Sequence, residues 1–230
     1  MRTIPEAPEA LCGADTGNAT LSLEIKVVTP LFGGGAEAGV NDPVTPIRGS
    51  SIRGHLRFWW RATRGANCES VKDLRKKEGE IWGTTEEPSK VSLVVSNTRG
   101  HGKRQHTDDY GFDRYGPEAY VLFSAKQNKN VLAKEGIRFI LELDYPKNLE
   151  NEIKPALWAW LNFGGIGART RRGCGALFSH DFAPRLEDGQ LSWDTSYFPE
   201  NVVKRDWPTL PPGNQLLWKT PSGDHLSAWK

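Results

Sequence analysis

Residues 48–64 read Arg-Gly-Ser-Ser-Ile-Arg-Gly-His-Leu-Arg-Phe-Trp-Trp-Arg-Ala-Thr-Arg. Ser50 or Ser51 is suited to cap a helix running to about Thr63, because a serine oxygen accepts from first-turn amides. Ile52, Leu56, Trp59 and Thr63 recur at helical spacing and predict its core face. Arg53, Arg57, Arg61 and Arg64 recur at i, i+4, i+8 and i+11, and at ~100° per residue they fall within about an 80° sector beside that face. With Arg48 the stretch holds five arginines and no acid. Such a stripe reads either as a track for phosphates or as a basic face that is solvated or paired with acids elsewhere in the fold. Trp60 lies between the two stripes, open to core packing or to stacking on a base.

The flanking segments place this helix in a larger plan. Leu21, Leu23, Ile25 and Val27 alternate with polar residues, the pattern of a half-buried strand. A long loop with Pro30, Gly33, Gly34, Gly35, Gly39, Pro43 and Pro46 joins it to the helix, and loops of that length are usually functional. A second, more polar helix is predicted over 71–81, then strands over 90–96, 119–123 and 137–143. Next comes a helix capped by Asn148 or Asn151, with Ile153, Leu157, Trp160 and Leu161 on one face and Pro155 near its first turn. A glycine-rich loop, 164–175, opens into a last strand at 176–179.

The order strand, helix, strands, helix, strand predicts an α+β, ferredoxin-like (RRM-like) β-α-β-β-α-β domain with long insertions. Its expected bounds are 20–183. A loose arm, 1–19, precedes it. An irregular extension, 184–230, follows, with prolines between Trp193, Trp207, Trp218 and Trp229; these tryptophans suit a partner-docking tail or a truncated second half.

Composition narrows the function classes. The 230 residues are 37% hydrophobic and 25% charged, with a net charge of +2, which fits a globular chain with a real core. Three widely spaced cysteines, Cys12, Cys68 and Cys174, argue against a disulfide framework or a zinc knuckle and for a reducing cytoplasm. The N-terminus lacks a long apolar run, so neither a signal peptide nor a membrane span is expected. His101, His106, Asp108 and Asp109 form no ligand pattern, and no metal is predicted.

The second chemistry-bearing segment is Gly164-Gly-Ile-Gly-Ala-Arg-Thr-Arg-Arg-Gly-Cys-Gly175, with five glycines and three arginines in twelve residues. Glycines such as Gly165 and Gly167 let a backbone turn sharply and offer N–H groups to an anion. Arg169, Arg171 and Arg172 add forked donors for phosphate oxygens. The segment lacks the Gly-Lys-Ser/Thr ending of a Walker A loop, and it follows a helix rather than a strand, so it is no dinucleotide fingerprint. No cofactor is implied.

Pro46 to Arg61, taken together with Gly164 to Gly173, closely resembles the RAMP superfamily of CRISPR proteins. The string Leu-Arg-Phe-Trp-Trp-Arg is similar to that of the first RAMP subunit of type III-B (Cmr) effector complexes. The resemblance implies a ferredoxin-like fold and a place in a multisubunit antiviral ribonucleoprotein, beside other RAMP subunits on guide and target RNA. The RNA-binding residues it points to are Arg48, Ser50, Ser51, Arg53, Arg57, Trp60, Arg61, Arg64, Gly165, Gly167, Arg169, Arg171 and Arg172. Members of that subunit family usually carry a second ferredoxin-like half. Asn41-Asp42-Pro43-Val44 resembles the loop in which backbone RAMP subunits hold a target-cleaving aspartate. Asp42 is thus the one catalytic candidate, for a metal-dependent endoribonuclease, against a turn residue ahead of Pro43. A purely structural cap is the third reading.

Overall fold

A computed structural model describes residues 17–33, 42, 45–100, 104–106, 131–133, 136–187, 190–199 and 205–212. Four strands make the main sheet: β1 (Asn18–Val27), β2 (Ser92–Arg99), β5 (Arg138–Pro146) and β6 (Leu177–Phe178). Their order is β2-β5-β1-β6, with every neighbouring pair antiparallel. Two short strands, β3 (Arg104–His106) and β4 (Val131–Ala133), pair with each other in the insertion between β2 and β5. The 119–123 strand predicted from sequence lies outside the described residues.

The period-2 pattern makes one side of this sheet apolar. Leu23, Ile25 and Val27 of β1 and Phe139, Leu141 and Leu143 of β5 are all buried in one cluster. Against them lie helices α1 (Gly49–Ala62) and α3 (Glu150–Phe163), with α2 (Val71–Trp82) beside α1. The opposite side, with Ser22, Glu24, Lys26, Arg138 and Glu142, is exposed.

Three local expectations need correction. The core stripe of α1 is Ile52, Leu56 and Trp60, not Trp59. The two tryptophans differ by one ~100° step; Trp60 is fully buried with its Nε1 on Glu152 of α3, while Trp59 sits half-buried against Phe163. Ser50 and Ser51 do not cap α1; Arg48 is the N-cap and no side chain closes the turn. Helix α3 likewise starts after a 3-10 turn (Lys147–Leu149) with Leu149 as N-cap, so neither Asn148 nor Asn151 caps it.

Pro155 is the sixth residue of α3, past the first turn. Having no N–H, it leaves the Asn151 carbonyl without its helical donor. Arg64 supplies the replacement: its Nε donates to Asn151 O at 2.8 Å, its Nη2 to Ser196 O at 2.8 Å, and its Nη1 makes a longer contact to Phe198 O at 3.4 Å. One guanidinium thus ties the end of α1 to α3 and to the following segment.

That segment contains a small hairpin, β7 (Arg185–Glu187) with β8 (Gln190–Ser192), and then packs on α3. Trp193 stacks on Phe163 at 5.5 Å and meets Trp158 edge-on at 5.9 Å, while Phe198 meets Trp158 at 4.6 Å. Further on, Leu210 N–H donates to Ala62 O and Arg205 Nε to Ala66 O. Trp193 and Trp207 are therefore engaged with the chain's own core; Trp218 and Trp229 lie outside the described residues.

Arg64→Ala removes the donor that replaces the proline-blocked bond and should lower unfolding free energy by about 1–3 kcal/mol. Urea denaturation followed by tryptophan fluorescence reads it. A change within about 0.5 kcal/mol, the size of an ordinary surface substitution, would show that Arg64 is not a clamp.

Candidate nucleic-acid interface

The arginine stripe of α1 divides by what each side chain touches. Glu78 of α2 is 4% exposed and accepts from Arg57 Nε at 2.6 Å and from Arg61 Nε and Nη2 at 2.6 Å each. Burial raises the carboxyl's pKa, but the hydrogen bonds from Arg61 and Arg57 outweigh it and hold it below the ordinary value of 4.5. The hydrogen bond to Glu78 likewise raises Arg61. Because the folded-state value of Glu78 is depressed, the stability it contributes is present above about pH 4.5 and is lost as pH falls through the folded-state value. Arg57, Arg61 and Arg64 are thus engaged within the fold, with Arg57 and Arg61 still more than a third exposed. Arg53 makes no ion pair among the described residues and is half-exposed.

Trp60 is 1% exposed and its Nε1 donates to Glu152 at 2.7 Å. A base cannot reach it, so core packing is its role. His55 stacks on Trp160 at 6.4 Å between centroids, and burial lowers its pKa, which keeps it neutral at physiological pH.

Asp42 is fully engaged in the turn that leads into α1. Its Oδ1 accepts from Thr45 N at 2.9 Å, and its Oδ2 accepts from Thr45 Oγ1 at 2.7 Å and Arg48 Nη2 at 2.6 Å. The pair with Arg48 sets the entrance to α1. There Ser50 and Ser51 stand exposed in a first turn without a side-chain cap or an acid, at the positive end of the helix dipole.

In the glycine-rich loop several amides are bonded within the fold. Ile166 N–H donates to Gly175 O, Ala168 N–H to Phe32 O, Arg172 N–H to Arg169 O, Gly173 N–H to Thr170 O, and Gly175 N–H to Pro30 O. Thr29 Oγ1 adds a bond to Gly173 O at 2.6 Å and accepts from Ala176 N. Gly165 is buried, and its carbonyl accepts from Trp160 Nε1. Gly167 has φ +85°, and a Cβ there would lie 2.8 Å from Phe32 O; at Gly175, with φ +63°, a Cβ would collide with the Ile166 carbonyl. The glycines thus allow two loops, 29–33 and 164–176, to be stitched edge to edge. Gly165 is held through its carbonyl and Gly167 by its close approach to Phe32.

What the stitching exposes is charge. Arg169, in the left-handed conformation at φ +60°, starts the 3-10 turn Thr170–Arg172. Arg169, Thr170, Arg171 and Arg172 line an open depression of about 730 Å³, with Arg171 and Arg172 exposed. Sequence reasoning missed Glu78 and Glu152, the acids that decide which of α1's side chains are free. Among the described residues no group of three His, Cys, Asp or Glu is placed to hold a metal ion.

Comparison with known proteins fits this geometry. A family model described as the RAMP superfamily matches residues 24–178. Two curated proteins of Pyrococcus furiosus are similar. CRISPR system Cmr subunit Cmr1-1 is 31% identical over 144 residues, 57% of this chain and 40% of that protein. Cmr1-2 is 28% identical over 185 residues, 67% of this chain and 91% of that protein. Among solved structures, the apo crystal structure of Cmr1 from P. furiosus gives a TM-score of 0.54 at 23% identity, covering 70% of this chain and 49% of that one. A chain of the type III-B Cmr-beta complex bound to cognate target RNA gives 0.50 at 16%, covering 70% and 53%. The structural likenesses show a shared fold, and this chain spans less than half of Cmr1-1 and about half of the solved relatives.

Replacing Arg57 and Arg61 together with Gln should destabilise the chain by at least about 2 kcal/mol, a figure discounted from the 3–5 of a fully buried pair because both arginines are more than a third exposed. Adding Glu78→Gln to that double variant should restore part of the loss. Chemical denaturation of the three proteins tests this; equal stability of parent and double variant would return the stripe to solvent.

Proposed function

The chain belongs to the RAMP superfamily, and from that premise we propose that it is a non-catalytic RNA-binding subunit of a type III-B CRISPR effector complex. In this reading residues 20–183 are a ferredoxin-like domain, a plan supported by the sheet order β2-β5-β1-β6 with α1 and α3 on one side. Guide and target RNA and the other RAMP subunits are its partners. The similar curated proteins carry the name Cmr subunit, and one similar solved structure is a Cmr complex with cognate target RNA.

The observation that carries the RNA contact is the arginine crest Arg169–Arg172, in which Arg171 and Arg172 are exposed. The Arg172 amide is bonded within the turn, and the three guanidiniums supply charge suited to phosphates rather than to base edges. Arg53 and the open end of α1 at Ser50 and Ser51 add positive potential. Arg48 contributes through Asp42, whose carboxylate is committed to the turn; that commitment is the reason no cleavage is assigned to Asp42. Among the described residues no helix is long and apolar enough to cross a membrane, and a cytoplasmic ribonucleoprotein is the setting this reading requires.

Arg169→Glu with Arg172→Glu should weaken RNA binding about tenfold or more at moderate salt, equally for unrelated sequences, because phosphate contacts position without specifying. Fluorescence anisotropy with several labelled single strands measures it, with circular dichroism as the check on folding. Unchanged affinity in a folded variant would remove the loop from the interface.

A further inference from the structure

The side of the sheet turned away from the helices carries charge in an order that the sequence does not show. Strand register places Arg99 opposite Arg138, Arg138 opposite Lys26, and Lys26 opposite Phe178. All four are exposed on the same side. Three cations and an aromatic ring therefore form a single transverse row across β2, β5, β1 and β6, about 14 Å long at ~4.8 Å per strand.

Like charges directly opposite each other destabilise a sheet, and this row has two such juxtapositions. The backbone is also bent to produce it. A bulge in β2 shifts the register between Ser96, opposite Ile140, and Arg99, opposite Arg138, with Asn97 in the left-handed region at φ +51°. Without the extra residue, Thr98 would stand opposite Arg138. A bulge re-aims a side chain, and here it brings a third cation into line.

The acids on this side are offset from the row. Glu24, one step along β1, makes an exposed contact with Arg138 at 3.3 Å. Glu142 and Asp144 stand two and three steps away, opposite Ser22 and Thr20. Among the described residues Lys26 and Arg99 have no ion pair. At the other end, Phe178 is 38% exposed and His180 meets it edge-on at 4.8 Å. An open groove of about 430 Å³ is lined by Lys26, Arg138, Phe178 and His180 together with Glu24 and Asp181.

The geometry points to a second polynucleotide contact: a single-stranded RNA crosses the open side of the sheet along this row, its phosphates on Arg99, Arg138 and Lys26 and one base against Phe178. Cations that follow a backbone beside an exposed ring that takes a base are the elements of single-strand binding. The acids further up the strands direct such a ligand across the sheet rather than along it. The choice of RNA as the polyanion rests on the function proposed above; the row itself does not.

The test uses the full chain, a labelled oligouridylate and two variants. Phe178→Ala should weaken binding about tenfold and leave the salt dependence unchanged. Lys26→Gln with Arg138→Gln should lower the log–log salt slope by about 1.4, ~0.7 for each phosphate contact removed. The double variant should keep or raise the thermal midpoint, since it relieves like-charge repulsion. Photocrosslinking with 4-thiouridine RNA should label the peptide that holds Phe178. If Arg169→Glu with Arg172→Glu abolishes binding while both sheet variants keep their affinity and slope, the row is not a site and the loop reading stands. The reverse pattern keeps the row and removes the loop. Sheet variants that bind RNA normally but fail to enter the assembled complex would overturn the inference in favour of an acidic protein surface.

Discussion

The Glu78 carboxylate, buried between α1 and α2, must have cations, and it takes Arg57 and Arg61. An ionised acid in that position is tolerated only when hydrogen-bonded and paired. The two arginines are thereby engaged within the fold, and they tie α2 to α1. Arg64 is engaged in a different way, by three main-chain carbonyls, one of which Pro155 leaves without a helical donor. A helix that looks from its composition like a phosphate track is for the most part an internal brace.

The same logic, applied to the glycine-rich loop, gives the opposite answer. There several amides are bonded within the fold, and Arg171 and Arg172 are exposed beside an open depression. The loops 29–33 and 164–176 form a rigid shoulder because each supplies the other's backbone partners, and the glycines are what permit that approach. A pre-organised crest of charge holds a phosphate backbone with little ordering cost on binding. Together with the row on the open side of the sheet, this makes two cationic surfaces on one small domain, one beside the loops and one across the strands.

The sequence made some of this legible. The alternation in β1, the apolar face of α3 and the crowding of glycine and arginine over 164–175 each have a local cause, and each appears where its pattern predicts. The register of β1 against β5 follows from burying Leu23 and Ile25 together with Phe139 and Leu141. The remainder depends on distance in the chain. Glu78 lies 17 residues from Arg61 and 21 from Arg57, and no periodicity announces such a pair. Trp59 and Trp60 are one helical step apart, so composition cannot choose the core residue; contacts distant in the chain do, Glu152 for Trp60 and Phe163 for Trp59. The row Arg99, Arg138, Lys26 and Phe178 exists only through three strand registers and a bulge, which no single-segment reading contains.

The central claim is a division of arginines into those that hold the fold and those that face the ligand. Heteronuclear NMR of the arginine Nε–H groups, recorded with and without single-stranded RNA, tests it most directly. The account predicts slowly exchanging Nε protons for Arg57, Arg61 and Arg64 that do not move when RNA is added, because each Nε donates to an acceptor within the fold. It predicts RNA-dependent shifts for Arg169, Arg171 and Arg172. Large RNA-induced shifts at Arg57 and Arg61, with the crest arginines silent, would contradict it.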